Sequence, residues 1–270
     1  MDDRGISQRL EVAIAAAREG GEIARAAFQA RPAGAALTFK GHQDYITETD
    51  GRVEELVRRR LLKAFPGDAF FGEESGGTVG DDVWVVDPID GTSNFARGIP
   101  HFAVSIAFVS RGRIEIGVVY NVMLDELYVA ARGRGATRNG RPLKVSGCTD
   151  LRQAAVEAGW SPRVPLERYL ALFAALMHTG AGVRSSGSGT LGLCYVADGR
   201  LDGYCEQHIN SWDVLAGLLL IAEAGGWVND FLANDGLRQG NRVLACTPAL
   251  RDELAAVMRG VAPESDPLAG

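Results

Sequence analysis

Apolar positions recur at helical spacing through residues 7 to 30. In "SQRLEVAIAAAREGGEIARAAFQA", Leu10, Ile14, Ala17, Ile23, Ala27 and Phe28 share one face, with Gly20-Gly21 as a weak point within it. The pattern predicts a long first helix. A second helix is expected from about Glu48 to Ala64, opened by threonines and an acid that can cap free amides, and stopped before Pro66. From 69 to 130 the signal changes to that of strands, in "AFFG", "VWVVD", "FAVSIAFVS", "RIEIGVVYNV" and "ELYVAAR", with "SRGR" as a hairpin turn. Past 132, "RGRGATRNGRPLKVSG" is loose in composition, and its "NG" marks another turn. Helix (166–178), short strand (182–185), helix (190–198), strand (201–206), helix (212–224), strand (241–246) and helix (248–260) then alternate, so helices cover a sheet. The expected fold class is α/β, a layered sandwich of alternating helix and sheet layers. It divides into an α+β half, 1–148, and an α/β half, 149–270, with the site between them; "APESDPLAG" at the end is expected to be a disordered tail.

Charge narrows the classes of function. A net charge of −6 without a basic stripe argues against a grip on nucleic-acid phosphates, which needs clustered Lys and Arg. "RRR" at 58–60 and the arginines from 132 to 141 are expected on solvated surface. No nucleic-acid partner is expected. The acidic, polar start "MDDRGISQRL" lacks the order of a signal peptide, and "FAVSIAFV" and "VLAGLLLIA" fall short of the ~20 residues that cross a bilayer. A cytoplasmic protein with no membrane span is therefore expected. Cys148, Cys194, Cys205 and Cys246 lack CxxC spacing and are expected to be reduced packing residues rather than metal ligands.

Candidate chemistry collects where elements end. Asp50 in "TETD", Glu73 and Glu74 in "FGEES", Asp87 and Asp90 in "VDPIDGT" and Asp213 in "NSWDVLAG" all fall at boundaries between strand and turn or at helix starts. Two carboxylates about 4 Å apart repel by roughly 4 kcal/mol at an effective dielectric near 20, so a cluster of them needs cations or protons. Oxygen ligands without His or Cys select hard ions, and Mg²⁺ takes one or two carboxylates together with water and substrate phosphate. Gly91 would let a ligand approach the backbone, and Thr92, at the start of a short helix, would offer amides to phosphate and a hydroxyl to water. On those residues alone a plain turn with an Asx-type cap is the competing reading.

The segments "GEES", "WVVDPIDGTSNF" and "WDVLAG" with "EAGG", in that order, resemble the inositol monophosphatase family of magnesium-dependent, lithium-sensitive phosphatases. The resemblance runs from "DYITETD" to "EAGGWVNDF". It implies an inositol monophosphatase/fructose-bisphosphatase-like fold, a homodimer, two or three Mg²⁺ ions and a small-molecule phosphate monoester as substrate. It makes Glu73 a metal ligand that positions the attacking water, has Asp87 bridge two ions and the Ile89 carbonyl complete the first, and gives the second to Asp90 and Asp213. Thr92 would share the water, with Asp50 oriented behind it. Asp90, Gly91, Thr92, Gly189 and Glu206 would contact substrate, Glu206 through hydroxyls of a polyol such as inositol. The implied reaction is direct in-line attack by metal-activated water, without a phosphoenzyme.

Some features depart from the family's pattern. Asn210 stands where some inositol phosphatases carry His, and "RSSGSGTLG" at 184–192 is rich in Ser and Gly. Histidinol phosphate, whose ammonium could pair with Glu206, is the nearest rival substrate, ahead of fructose 1,6-bisphosphate and 3′-phosphoadenosine phosphates. "GSGTLG" at 187–192 matches GxGxxG, but the strand before it is short and weakly apolar, and the position of the acid expected about 20 residues on falls near Ser211 and Trp212, with Asp213 already claimed by the carboxylate set, which disfavours a dinucleotide-binding oxidoreductase. A non-catalytic regulatory binding protein is the third class, opposed by the intact set Glu73, Asp87, Asp90, Thr92 and Asp213. His42 and His178 are expected at the surface or core edge, His101 and His208 nearer the site, and Trp84 and Trp212 behind the acids.

Overall fold

The structure is a computed structural model that describes residues 3–31, 39–41, 44–45 and 48–261. His42 and the expected tail at 262–270 lie outside the described residues. In chain order the elements are α1 (Asp3–Ala30), β1 (Phe39–Gly41), β2 (Asp44–Tyr45), α2 (Glu48–Ala64), β3 (Ala69–Gly72), β4 (Gly76–Gly77), β5 (Asp82–Asp90) and α3 (Thr92–Arg97). The chain continues through β6 (Ala103–Ser110), β7 (Arg113–Asn121), β8 (Glu126–Ala131), β9 (Ala136–Arg138), β10 (Arg141–Pro142), β11 (Ala155–Ala158), α4 (Leu166–His178), β12 (Gly182–Arg184) and α5 (Gly189–Ala197). It ends with β13 (Gly203–Ile209), α6 (Ser211–Glu223), β14 (Trp227–Val228), α7 (Gly236–Gln239), β15 (Asn241–Cys246) and α8 (Arg251–Gly260).

Two large sheets organise the molecule, an eight-stranded one in the order β10-β9-β8-β7-β6-β5-β3-β4 and a five-stranded one in the order β12-β11-β13-β15-β14. Three apolar clusters show how the layers stack. One joins α1 and α2 to the outer face of the first sheet through Ala17, Val53, Val57, Trp84 and Ile106. The second packs α5 and α6 between the sheets, with Val85 and Ala107 on one side and Val243 and Ala245 on the other. The third sets α4 and α8, through Leu172, Leu176 and Leu254, against Val156 and Cys205 of the second sheet. The result is helix, sheet, helix, sheet, helix, the alternating layers expected. The central cluster draws on residues before and after 148, so both halves share apolar core. Gly117 on β7 permits this close approach, since a Cβ there would lie 2.6 Å from the Ala216 carbonyl oxygen of α6.

The differences from the sequence reading have identifiable physical causes. "AVEA" at 155–158 carries a single β-branched residue, yet β11 pairs in parallel with both β12 and β13, because tertiary burial outweighs weak propensity. Pro248, which has no N–H to donate, opens a single 3₁₀ turn, and regular helix begins only at Arg251. β5 runs on through Pro88 to Asp90, and that extension makes the site.

Candidate active site

In a regular strand, residues three apart point to opposite faces. On β5, Asp87 pairs with Ser105 and Asp90 with Ala103 of β6, so three steps along one strand answer two along the other. The extra residue is a bulge, which lets the two carboxylates turn toward the same side. Asp213 joins them from the first turn of α6, where its Oδ2 accepts a hydrogen bond from the Asn210 N–H at 3.2 Å. Ligand oxygens of Asp87, Asp90 and Asp213 all lie within 4.8 Å of one another.

Burial and mutual repulsion define the electrostatics. Burial first, then the charges of Glu73, Asp90 and Asp213, raise the Asp87 carboxyl well above the usual range. Burial also raises Asp90, against hydrogen bonds from Ser188 and Thr190 that pull it down, and it raises Asp213 together with the Asp90 charge. Among the described residues none of the three forms a salt bridge with Lys, Arg or His. All-oxygen donors held close with their repulsion uncompensated fit a hard divalent cation such as Mg²⁺. Asp87, Asp90 and Asp213 could hold it, with Glu73 beside Asp87.

Neighbouring hydrogen bonds fix each group. The Ile89 N–H donates to Asp87 Oδ1 at 2.9 Å. The Ser188 hydroxyl and the Thr190 N–H, the latter at 2.9 Å, both donate to Asp90 Oδ2, and the Thr190 hydroxyl donates to the Asp213 carbonyl at 2.7 Å. Thr92 Oγ1 lies 2.9 Å from the Ile89 carbonyl and 3.3 Å from Oδ1 of the fully buried Asp50. Gly91 carries φ of 92°, and a Cβ there would lie 2.9 Å from the His101 carbonyl oxygen, so glycine is required where β5 turns into α3. The "GEES" turn is held from α2, where buried Glu54 accepts the N–H groups of Glu74 at 2.8 Å and Ser75 at 2.9 Å.

These groups line one end of a cleft of about 440 Å³, where Glu73, Asp90, Gly91, Thr92 and Asp213 meet Gly189, Tyr204 and Glu206. Glu206 is buried and accepts the Tyr204 hydroxyl at 2.5 Å; burial pushes its carboxyl up to about 8. Gly189 begins α5 with no room for a side chain, a Cβ there meeting Ile209 Cδ1 at 2.8 Å and the Tyr204 hydroxyl at 3.1 Å. Of the acids singled out in the sequence, Glu73, Asp90, Glu206 and Asp213 line the cleft; Asp87 and Asp50 stand behind it, in reach of Asp90 and Asp213 and of Thr92 respectively, and Glu74 is not among the lining residues.

Other expected neighbours sit further off. His101 places its ring 6.0 Å from that of Tyr195, whereas His208 Nε2 lies 3.0 Å from the Gln239 carbonyl and acts structurally. Trp84 packs between Phe65 and Phe108, and its indole N–H donates at 3.0 Å to Asp68, itself paired with Arg9. Trp212 stacks near Phe71, the residue before Gly72-Glu73.

The segment 187–192, a nominal dinucleotide motif, instead carries Ser188 and Thr190 to Asp90. Asn94 of α3 clamps it, donating to the carbonyls of Ser186 at 3.0 Å and His101 at 2.9 Å. Buried Glu157 holds it from β11 by accepting the Ser186 N–H at 2.5 Å and hydroxyl at 2.6 Å. Sequence reasoning missed Glu54, Asn94, Glu157, Ser188 and Thr190 as supports. The Ser-rich run itself was the available signal for Ser188 and Thr190; nothing local marks Glu54 or Glu157.

Comparison with known proteins adds an independent line. Residues 6–261 match the model of the Inositol monophosphatase family. The chain is 39% identical over 264 residues to the Nus factor SuhB of Pseudomonas aeruginosa, covering 94% of this chain and 97% of that protein. It is 42% identical over 233 residues to an inositol-1-monophosphatase of Mesorhizobium japonicum, covering 82% and 88%. The crystal structure of the extragenic suppressor protein SuhB of Bartonella henselae matches with a TM-score of 0.85 at 36% identity, over 92% of this chain and 97% of that one. Likeness in sequence and in fold extends over nearly the whole length, and the chain belongs to the inositol monophosphatase family.

Proposed function

We propose that this protein is a Mg²⁺-dependent phosphate monoester hydrolase acting on inositol 1-phosphate. One observation carries the reading: the buried Asp87 and Asp90 and the half-buried Asp213, which among the described residues form no salt bridge, stand beside the Thr92–Asp50 pair, where Asp90, Thr92 and Asp213 line a cleft that Glu206 also lines. Asp87, Asp90 and Asp213, with Glu73 and the Ile89 carbonyl, would hold two or three ions. Bound Mg²⁺ supplies charge that neutralises the phosphate and acidifies water. The chain's own residues orient the reaction. The Thr92 hydroxyl donates toward Ile89 O or Asp50 Oδ1, which leaves its lone pairs to accept a proton from water; Asp50 can then take the threonine's proton. Gly91 and Thr92 line the phosphate end.

Glu206 and Arg163 support a polyol over an amine. The positive charge of Arg163, on the same cleft, acts on Glu206 and would repel the ammonium of histidinol phosphate. A homodimer is proposed as well, supported by Leu166, Leu170 and Met177, which are exposed along one face of α4. A cytoplasmic location is part of the proposal; among the described residues no helix is long and apolar enough to cross a membrane. A second reading, a protein-binding role in transcription, is favoured by the name Nus factor SuhB carried by a relative; it is compatible with catalysis.

The test is phosphate release from inositol 1-phosphate and histidinol phosphate in parallel, with Mg²⁺, with EDTA and with lithium. Magnesium-dependent, lithium-inhibited preference for the inositol ester is expected. Turnover that survives EDTA would remove the metal reading, and preference for histidinol phosphate would reassign the substrate.

A further inference from the structure

The cleft has a wall that no carboxylate chemistry explains. Trp160 lines it next to Gly159 and remains 40% exposed although it is among the largest apolar side chains of the protein. Indole surface left in water costs free energy, so an exposed Trp at a pocket mouth points to a ligand face. The ring does not hang free. Tyr169 of α4 meets it edge-on, with centroids 6.4 Å apart at 62°, and Tyr169 rests in turn on Phe173 at 5.9 Å. An aromatic stack rooted in the helix thus holds the indole in place at little entropic cost.

The polar partners beside it select among apolar ligands. Glu206 is adjacent to Gly159, where any Cβ would collide with the Glu206 carboxylate; only a glycine lets carboxylate and indole border the same space. A leaving group that uses both must present hydroxyls on its edge and C–H bonds on its face. A six-membered polyol ring has this form and an open-chain alcohol does not.

Resting on the proposed phosphatase reading, we infer that Trp160 is a specificity residue that stacks on the ring face of a cyclic polyol leaving group while Glu206 binds its hydroxyls. The experiment compares kcat/KM for inositol 1-phosphate with that for glycerol 2-phosphate in wild type, Trp160→Ala and Trp160→Phe. The ring-to-open-chain ratio is expected to fall about tenfold in Trp160→Ala, the loss from leaving roughly 50 Å² of apolar ring face in water. Most of the fall should appear in KM, and Trp160→Phe should restore most of the ratio. A ratio unchanged within twofold in Trp160→Ala overturns the inference and leaves the phosphatase reading intact. If wild type hydrolyses neither ester, that reading fails, and tryptophan fluorescence titrated with myo-inositol decides the inference alone. A change seen in wild type and lost in Trp160→Phe supports it, and no change in wild type overturns it.

Discussion

Removing divalent ions should make this protein less stable as pH rises, the opposite of what paired surface carboxylates give. Glu206 shifts from an ordinary 4.5 to about 8 on folding, because burial penalises its charged form. A carboxyl raised in the folded state holds its proton there while the unfolded chain has already released it. Its contribution is therefore favourable at low pH and is lost as pH climbs toward the folded value. Between pH 6.5 and 8.5 the loss from Glu206 alone is about 2 kcal/mol by linkage. Asp87, Asp90 and Asp213, also raised, act in the same direction. His101, lowered by burial, acts oppositely, but its effect falls mostly below that window. For a chain of this size about 2 kcal/mol corresponds to a fall in Tm of ~4–8 °C. Mg²⁺ at about 100 times its Kd returns ~2.7 kcal/mol, and more of it at high pH, where a cation no longer has to displace protons. The assay is thermal unfolding in EDTA and in excess Mg²⁺ across pH 6.5 to 8.5, with Glu206→Gln as a variant that should flatten the EDTA curve. A Tm in EDTA that rises with pH, or a Mg²⁺ shift larger at pH 6.5 than at 8.5, would refute the account of the site as a cluster of uncompensated carboxylates.

Three further outcomes are expected. Asp90→Asn and Asp213→Asn should fold, show a smaller Mg²⁺-induced rise in Tm, and lose at least about 100-fold in hydrolysis; unchanged turnover in both would sink the assignment. Thr92→Ala should lower kcat at saturating metal by roughly 10²-fold or more with little change in the Mg²⁺ concentration for half-maximal rate, because the proton path from water to Asp50 is removed while the carboxylate ligands stay. Ser188→Ala frees one oxygen of Asp90 from its hydroxyl donor and should raise the Mg²⁺ concentration for half-maximal activity about tenfold, with Ser188→Thr restoring it.

Much of this protein was written locally. Apolar spacing marked the helices at 7–30 and 166–178 and the strands from 69 to 130, because a face that must be buried repeats at the period of its element. Turn residues carried their own geometry, as at Arg111-Gly112 and Asn139-Gly140, which adopt the positive φ a tight hairpin needs. The acids at element ends were legible as a candidate metal cluster, but a capped turn explained "DGTSN" equally on its own, and the order of the separated motifs is what pointed to the family. What the tertiary structure decided was which of them meet, and how. The bulge that turns Asp87 and Asp90 to one side depends on the register with β6, a pairing set by a neighbouring strand rather than by "DPID" itself. Asp213 arrives from more than 120 residues away, because α6 packs between the two sheets. Ser188, Glu157 and Trp160 gained their places in the same way. Their spacing in the chain carries no period, and only the burial of one layer against the next brings them to the cleft.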